Sequence, residues 1–171
     1  RQCAFGEHYS TSLVLYPGDM CSSAIVTTAC QEFAPDAIVH LAEQPSAAFS
    51  MIDVAHAVET QRNNILGTLN LLYVMRAVCP QAHLLKLGTM GELGTPDSEI
   101  PEGEFPEGSS WVQTGRTRGN LSGLMFPRQA GSWYHQSKVH DTHNVAMACR
   151  IWGLRSTDVM QGIVYGTHVD E

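Results

Sequence analysis

The sequence predicts an α/β fold, a doubly wound parallel sheet. Two patterns carry that expectation. Short β-favouring apolar runs alternate with longer segments of helical spacing, and each change of period is marked by Pro, Gly, Ser or Asp. The first run, residues 12–16, is stopped by Pro17-Gly18-Asp19. Residues 21–33 read as a helix capped at Ser22 or Ser23, and Ala34-Pro35-Asp36 ends it before a second buried run, 37–42. Residues 50–79 have helical spacing, clearest in Ile65, Leu66, Leu69, Leu72, Tyr73 and Met75, and Pro80 closes them. Residues 83–87 form the next strand. Residues 133–152 return to a helix terminated by Gly153, and 154–159 form the last strand. Such alternation implies a sheet covered on both faces, with ligands at the carboxyl ends of its strands.

Residues 96–131 interrupt the pattern. They are rich in Gly, Pro, Ser and Glu and lack a sustained period. Loops of that length in compact domains are usually functional or mobile. We read a flap over a site, with disorder as the rival, within a single partial domain spanning 1–171.

Composition excludes several classes. The 171 residues, 43% hydrophobic and 16% charged, suit one domain with a real core. A net charge of −7 with no basic stripe argues against nucleic acid as partner. Cysteines 3, 21, 30, 79 and 149 are odd in number and lack CxxC spacing, so neither a zinc site nor a disulfide framework is indicated and reduced thiols are expected. The apolar runs are far short of the roughly 18 residues a membrane helix needs, so no membrane insertion is expected. The chain opens on Arg1 and closes on Val169-Asp170-Glu171 directly after a strand and turn, and reads as a fragment.

Two stretches carry chemistry: 86–96, centred on Gly88-Thr89-Met90-Gly91-Glu92, and Tyr134-His135-Gln136-Ser137-Lys138. A Tyr-x-x-x-Lys pair alone arises by chance on surface helices. Following a strand that ends in Thr89, it is a set for drawing a proton from a sugar alcohol while a nicotinamide takes the hydride. One helical turn brings the Lys138 ammonium beside the Tyr134 phenol, and a nearby positive charge is expected to lower the phenol's pKa.

Other residues have a plain reading beside a functional one. Asp19 is a turn residue or an adenine contact. Leu41-Ala42-Glu43 is packing with a helix-capping acid, or backbone beneath a pyrophosphate and ribose. Asn64 is a solvated helix position or holds backbone near the catalytic strand. His135 is a surface residue or an anion-binding donor. His140, Asp141 and His143 crowd one helix without a third ligand in the spacing, so no metal is assigned.

The chain resembles the extended short-chain dehydrogenase/reductase family, in its UDP-sulfoquinovose synthase branch. The matching segments are Gly18-Asp19-Met20, Val39-His40-Leu41-Ala42-Glu43-Gln44, Ser50-Met51-Ile52-Asp53, residues 60–70, Leu87-Gly88-Thr89-Met90-Gly91-Glu92, residues 134–141 and Gln161-Gly162-Ile163-Val164-Tyr165-Gly166, covering nearly the whole chain. The resemblance implies a Rossmann-type fold, NAD as cofactor, and conversion of UDP-glucose and sulfite to UDP-sulfoquinovose for sulfolipid biosynthesis. It implies catalytic roles for Thr89, Tyr134 and Lys138, with Glu92 and His135 as candidates for the C5/C6 proton transfers and the sulfur anion. It implies NAD contacts at Asp19, Met20, Leu41, Ala42, Glu43, Asn64, Tyr134, Lys138 and Gln161, and sugar-nucleotide contacts at Gln44, Thr89, Met90, Gly91 and Gln161. It further implies a homodimer through the helices at 50–79 and 132–152 when full length, in the cytoplasm of a bacterium or the chloroplast stroma of a photosynthetic eukaryote.

Met90 stands where sugar-nucleotide 4,6-dehydratases carry an Asp that protonates the leaving hydroxyl, which disfavours an ordinary dehydratase. The family's glycine-rich phosphate loop and later substrate-binding part are absent, so the chain reads as the middle of a longer protein that by itself is not expected to hold NAD. Pro45 replaces an Arg of the family, which removes one substrate contact, and 111–123 looks like an insertion in the flap. Two alternatives stay open: another NDP-sugar 4-epimerase or 4,6-dehydratase, and a non-catalytic NAD-sensing or scaffold protein.

Overall fold

The computed structural model of the protein describes residues 13–94, 110–112, 118–120, 128 and 130–162. In chain order these form α1 (Ser23–Phe33), β1 (Ala37–His40), α2 (Ala47–Ser50), α3 (Val54–Gln61), a π-helical turn (Arg62–Leu66), α4 (Gly67–Val78), β2 (His83–Thr89) and a 3₁₀ turn (Met90–Leu93). An antiparallel pair, β3 (Ser110–Val112) and β4 (Arg118–Asn120), precedes α5 (Trp133–Trp152) and β5 (Arg155–Gln161).

The main sheet has the order β1-β2-β5, parallel throughout, with Ala37 opposite His83 and His83 opposite Arg155. Parallel neighbours require crossover connections, and right-handed crossovers moving in one direction put α2–α4 and α5 on the same face. That face receives His40, Leu84 and Lys86, all buried. On the other face Val39 is 60% and Val159 38% exposed, so among the described residues only one side of the sheet is layered.

The core lies between β2 and the helices. Leu71, Leu72, Val74 and Met75 of α4 meet Val26 and Cys30 of α1, Leu84 of β2, and Val145 and Ala148 of α5. Each large aliphatic side chain buried there contributes roughly 1.5–3 kcal/mol. At the far end of α5, Trp152 packs edge-on to Tyr73 with ring centroids 4.8 Å apart and takes the Arg76 guanidinium over its face.

Several boundaries differ from the sequence expectation, each for a local reason. Residues 13–16 of the first expected strand run as coil, because no described strand borders them to supply ladder bonds. Leu41 and Ala42 fall beyond β1, whose register with β2 ends at His40 opposite Lys86. The helix expected over 50–79 is cut at residues 51–53, where the Asp53 carboxylate accepts the His56 amide at 3.0 Å and starts α3 afresh. Strands β2 and β5 each run two residues further, to Thr89 and Gln161. Most of 96–131 lies outside the described residues; β3 and β4 within it form a short ladder, which the flap reading did not contain.

Cys21, Cys30 and Cys79 are free thiols. Burial, then the neighbouring Cys79, pushes the Cys30 thiol up to about 11, which leaves it unreactive at neutral pH. Among the described residues no helix is long and apolar enough to cross a membrane.

Candidate active site

The site forms at the carboxyl end of the sheet. Thr89 and Gln161, last residues of β2 and β5, are direct register partners. The Thr89 hydroxyl accepts the Gly91 amide at 3.2 Å and caps the 3₁₀ turn, which sends Met90 outward, 56% exposed, and Glu92 inward, fully buried. Helix α5 packs against this turn and against β2. Ser132 starts that helix by accepting the His135 amide at 3.1 Å, and Ser50 accepts the Tyr134 amide at 3.0 Å. Tyr134 and, one turn later, Lys138 are thereby fixed and buried, at 8% and 2% exposure.

His135 lies half-buried beside them. Its Nδ1 is 3.0 Å from Ser132 Oγ, and its ring centroid is 5.1 Å from that of Tyr134. The ring also covers Gly91: a Cβ there would come within 2.4 Å of the imidazole, so any larger residue would displace the His135 ring. Burial lowers the His135 pKa, which makes the ring a neutral donor near pH 7 and not a cation for binding anions.

The electrostatics of Tyr134 reverse the sequence expectation. Lys138 Nζ donates to the Glu43 carboxylate and the Leu87 carbonyl. Burial, followed by the carboxylates of Glu43, Glu92 and Asp141, pushes the Tyr134 phenol up to about 12. The expected lowering by Lys138 does not occur, because the ammonium is already paired to a carboxylate that sequence spacing could not place beside it.

Asn64 sits fully buried in the π-helical turn, a distortion that recurs at functional sites. Its Oδ1 accepts the Gln44 amide at 2.8 Å, and its Nδ2 donates to the Gln44 carbonyl at 3.2 Å and to Ser137 Oγ at 2.9 Å. It thus ties the segment after β1 to α5, not to the catalytic strand. The Gln44 side chain accepts the Ser46 amide at 2.8 Å and so serves its own turn. His140 and His143 are exposed while Asp141 is fully buried, so the three do not converge.

Behind the 3₁₀ turn lies a charged network that sequence reasoning missed. Lys86 Nζ, with no exposed surface, donates to Thr142 Oγ1 at 2.8 Å and Asp158 Oδ2 at 3.2 Å, and lies 3.7 Å from Glu92 Oε1. Thr142 donates to Asp158 at 2.6 Å, and Arg128 pairs with the other oxygen of Glu92. Burial raises the Glu92 pKa, opposed by Lys86 and Arg128. The available signal was Lys86 itself, a charge inside the apolar run 84–87; Asp158 and Thr142 offered none.

The NAD dependent epimerase/dehydratase family matches residues 2–116. This chain belongs to that family. Among curated relatives it is 46% identical over 157 residues to the chloroplastic UDP-sulfoquinovose synthase of Spinacia oleracea, covering 92% of this chain and 31% of that protein. It is 42% identical over 165 residues to the UDP-sulfoquinovose synthase of Sulfolobus acidocaldarius, covering 96% of this chain and 40% of that one. The chain therefore spans 31% and 40% of the length of these two relatives. Among solved structures, the UDP-glucose 4-epimerase of Thermus thermophilus in complex with NAD superposes with a TM-score of 0.61 at 26% identity, over 85% of this chain and 39% of that one.

The family's cofactor can be tested against the residues present. Asp19, Met20, Leu41 and Ala42 line one groove of about 480 Å³, together with Ile38 and His40. Apolar walls and one carboxylate at Asp19 suit an adenine, which offers two π-faces and an exocyclic amino donor. Asp19 also builds its turn, accepting the Cys21 amide at 2.8 Å, which is the plain reading of this residue. Thr89, Tyr134 and Lys138 do not line this groove; Thr89 ends the neighbouring strand β2, and Tyr134 and Lys138 lie on α5.

Proposed function

We propose that this chain is the part of a UDP-sulfoquinovose synthase that carries the proton-transfer residues, acting on UDP-glucose and sulfite. The observation that carries the reading is the rim of the site: Thr89 and Gln161 side by side, Tyr134 buried on α5, and the exposed thioether Met90 where a dehydratase needs an acid. The likeness to two named synthases supports the same choice.

Bound NAD supplies an acceptor for the C4 hydride and later returns it. Tyr134, as its phenolate, takes the O4 proton, and Thr89, still able to donate from its hydroxyl, orients the sugar oxygen. The resulting 4-ketone acidifies H5, water leaves from C6, and sulfite adds at C6. His135, neutral and resting on Gly91 and Tyr134, is placed for the C5/C6 proton transfers. Glu92 is engaged by Thr142 and Arg128 and serves to hold the 3₁₀ turn. Met90 leaves room beside C6 for an anion that an Asp would repel.

The test is mass analysis of the product formed from UDP-glucose by the full-length protein, with and without sulfite. A sulfonated sugar nucleotide formed only with sulfite is expected. An isomer of unchanged mass would make the protein an epimerase, loss of water alone a dehydratase, and no turnover an NAD-sensing or scaffold protein.

The full-length protein is further proposed to be a homodimer. Val54 and Val58 of α3, and Met147 and Ile151 of α5, are each one turn apart and exposed, and paired helices of a second copy would cover them. Val58→Glu with Met147→Glu is expected to convert dimer to monomer in sedimentation velocity. An unchanged sedimentation coefficient would move the interface elsewhere. The spinach relative is named chloroplastic, which supports a stromal location for proteins of photosynthetic eukaryotes.

A further inference from the structure

Behind Tyr134 lies a second cluster, distinct from the Lys86 network. Glu43, at the turn after β1, keeps one carboxylate oxygen on Lys138; the other, Oε1, has no hydrogen-bond donor and lies 3.8 Å from His40 Nε2. His40 does not supply a charge: its Nε2 is 3.0 Å from Thr68 Oγ1, and burial, then Lys138 and Lys86, push its pKa down to about 4. Asp141, one turn beyond Lys138 on α5, is fully buried. Burial and Glu43 push it up to about 8, against the pull of Lys86, Lys138 and the Thr68 hydroxyl. Glu43 is therefore the carboxylate on which the Lys138 ammonium rests.

We propose that Glu43 is a positioning residue for the proton-transfer step: its carboxylate holds the Lys138 ammonium away from the Tyr134 phenol, and release of that ammonium makes the phenol acidic enough to exchange protons. The inference rests on Tyr134 being the proton-transfer group. No bond to carbon changes; the ammonium exchanges one hydrogen-bond acceptor for another. The charges that act on Tyr134 are Glu43 after β1, Glu92 at the 3₁₀ turn and Asp141 on α5; Lys138 lies one turn along α5, Lys86 of β2 and Arg128 lie against Glu92, Asp158 of β5 lies against Lys86, and neutral His40 and His135 lie beside Glu43 and the Tyr134 ring. Glu59 of α3 and Arg62 of the π-helical turn are exposed. Of these groups Glu43 alone touches Lys138 with a carboxylate. Removing its charge lowers the Tyr134 pKa twice over, by deleting a nearby anion and by freeing a nearby cation.

The test is an NMR titration of the full-length holoenzyme labelled with ¹³C at tyrosine Cζ, the Tyr134 signal being assigned by its loss in Tyr134→Phe. Glu43→Gln is expected to lower the Tyr134 midpoint by about one pH unit or more. The ascending limb of the kcat profile should move to lower pH with it. Glu43→Asp, which retracts the carboxylate by one methylene, should lower the midpoint by less, and it carries the test if the Gln variant does not fold. An unchanged Tyr134 midpoint in either folded variant overturns the proposal. The titration needs no sugar substrate, so a shifted midpoint in a protein that makes no sulfonated sugar would sink the functional reading and leave this one standing.

Discussion

Tyr134→Phe in the full-length protein is expected to lower turnover by about 10²- to 10⁴-fold, the usual contribution of a general acid–base group. The substitution deletes one oxygen and little else. The Tyr134 amide stays on Ser50, the ring keeps its place against His135, and the helix start at Ser132 is untouched. NAD affinity measured by calorimetry should therefore stay close to that of the parent, and kcat should carry the loss. A Phe variant retaining more than about a tenth of the parent turnover would remove Tyr134 from the chemistry. The raised phenol pKa sharpens the point: at neutral pH the group holds its proton firmly in the described arrangement, so its basicity must be called on by a rearrangement of the charges around it.

Lys86→Met should be the most damaging substitution for stability. The side chain has no exposed surface and lies within reach of Asp158, Glu92 and Thr142. Breaking a buried ion pair by removing one partner typically costs about 3–5 kcal/mol, because the remaining charge stays buried without compensation. Urea unfolding of parent and variant at pH 7 measures it. The pH dependence has a definite sign. Glu92 already has a raised pKa, and loss of Lys86 raises it further. A carboxyl whose folded pKa lies above its unfolded value takes up a proton on folding, so the folded variant gains stability as pH falls. The deficit should shrink from pH 7 towards pH 5; a deficit below about 1 kcal/mol at pH 7 would mean that water reaches the network.

Local signals made the architecture legible. Helix α5 begins and ends where the sequence reading placed it, since Ser132 caps one end and Gly153, at φ 69°, closes the other in a conformation glycine adopts freely. Asp53, three residues before His56, was an equally local signal for the break before α3, but hydrophobic spacing through 50–79 masked it. The family could be read from the text of Thr89, Tyr134, Lys138 and their flanks, because each motif is contiguous and chemically specific.

The pairings between distant segments were another matter. Lys138 meets Glu43 across 95 positions of chain, Lys86 meets Asp158 across 72, and Arg128 meets Glu92 across 36. By itself the sequence determined the alternation of strands and helices, the family, and the identity of the candidate site residues. Only the tertiary structure decided the charge state in which they wait, because a pKa depends on burial and on which ions lie within a few ångströms, and those neighbours are chosen by the packing of α5 against β2 and the 3₁₀ turn.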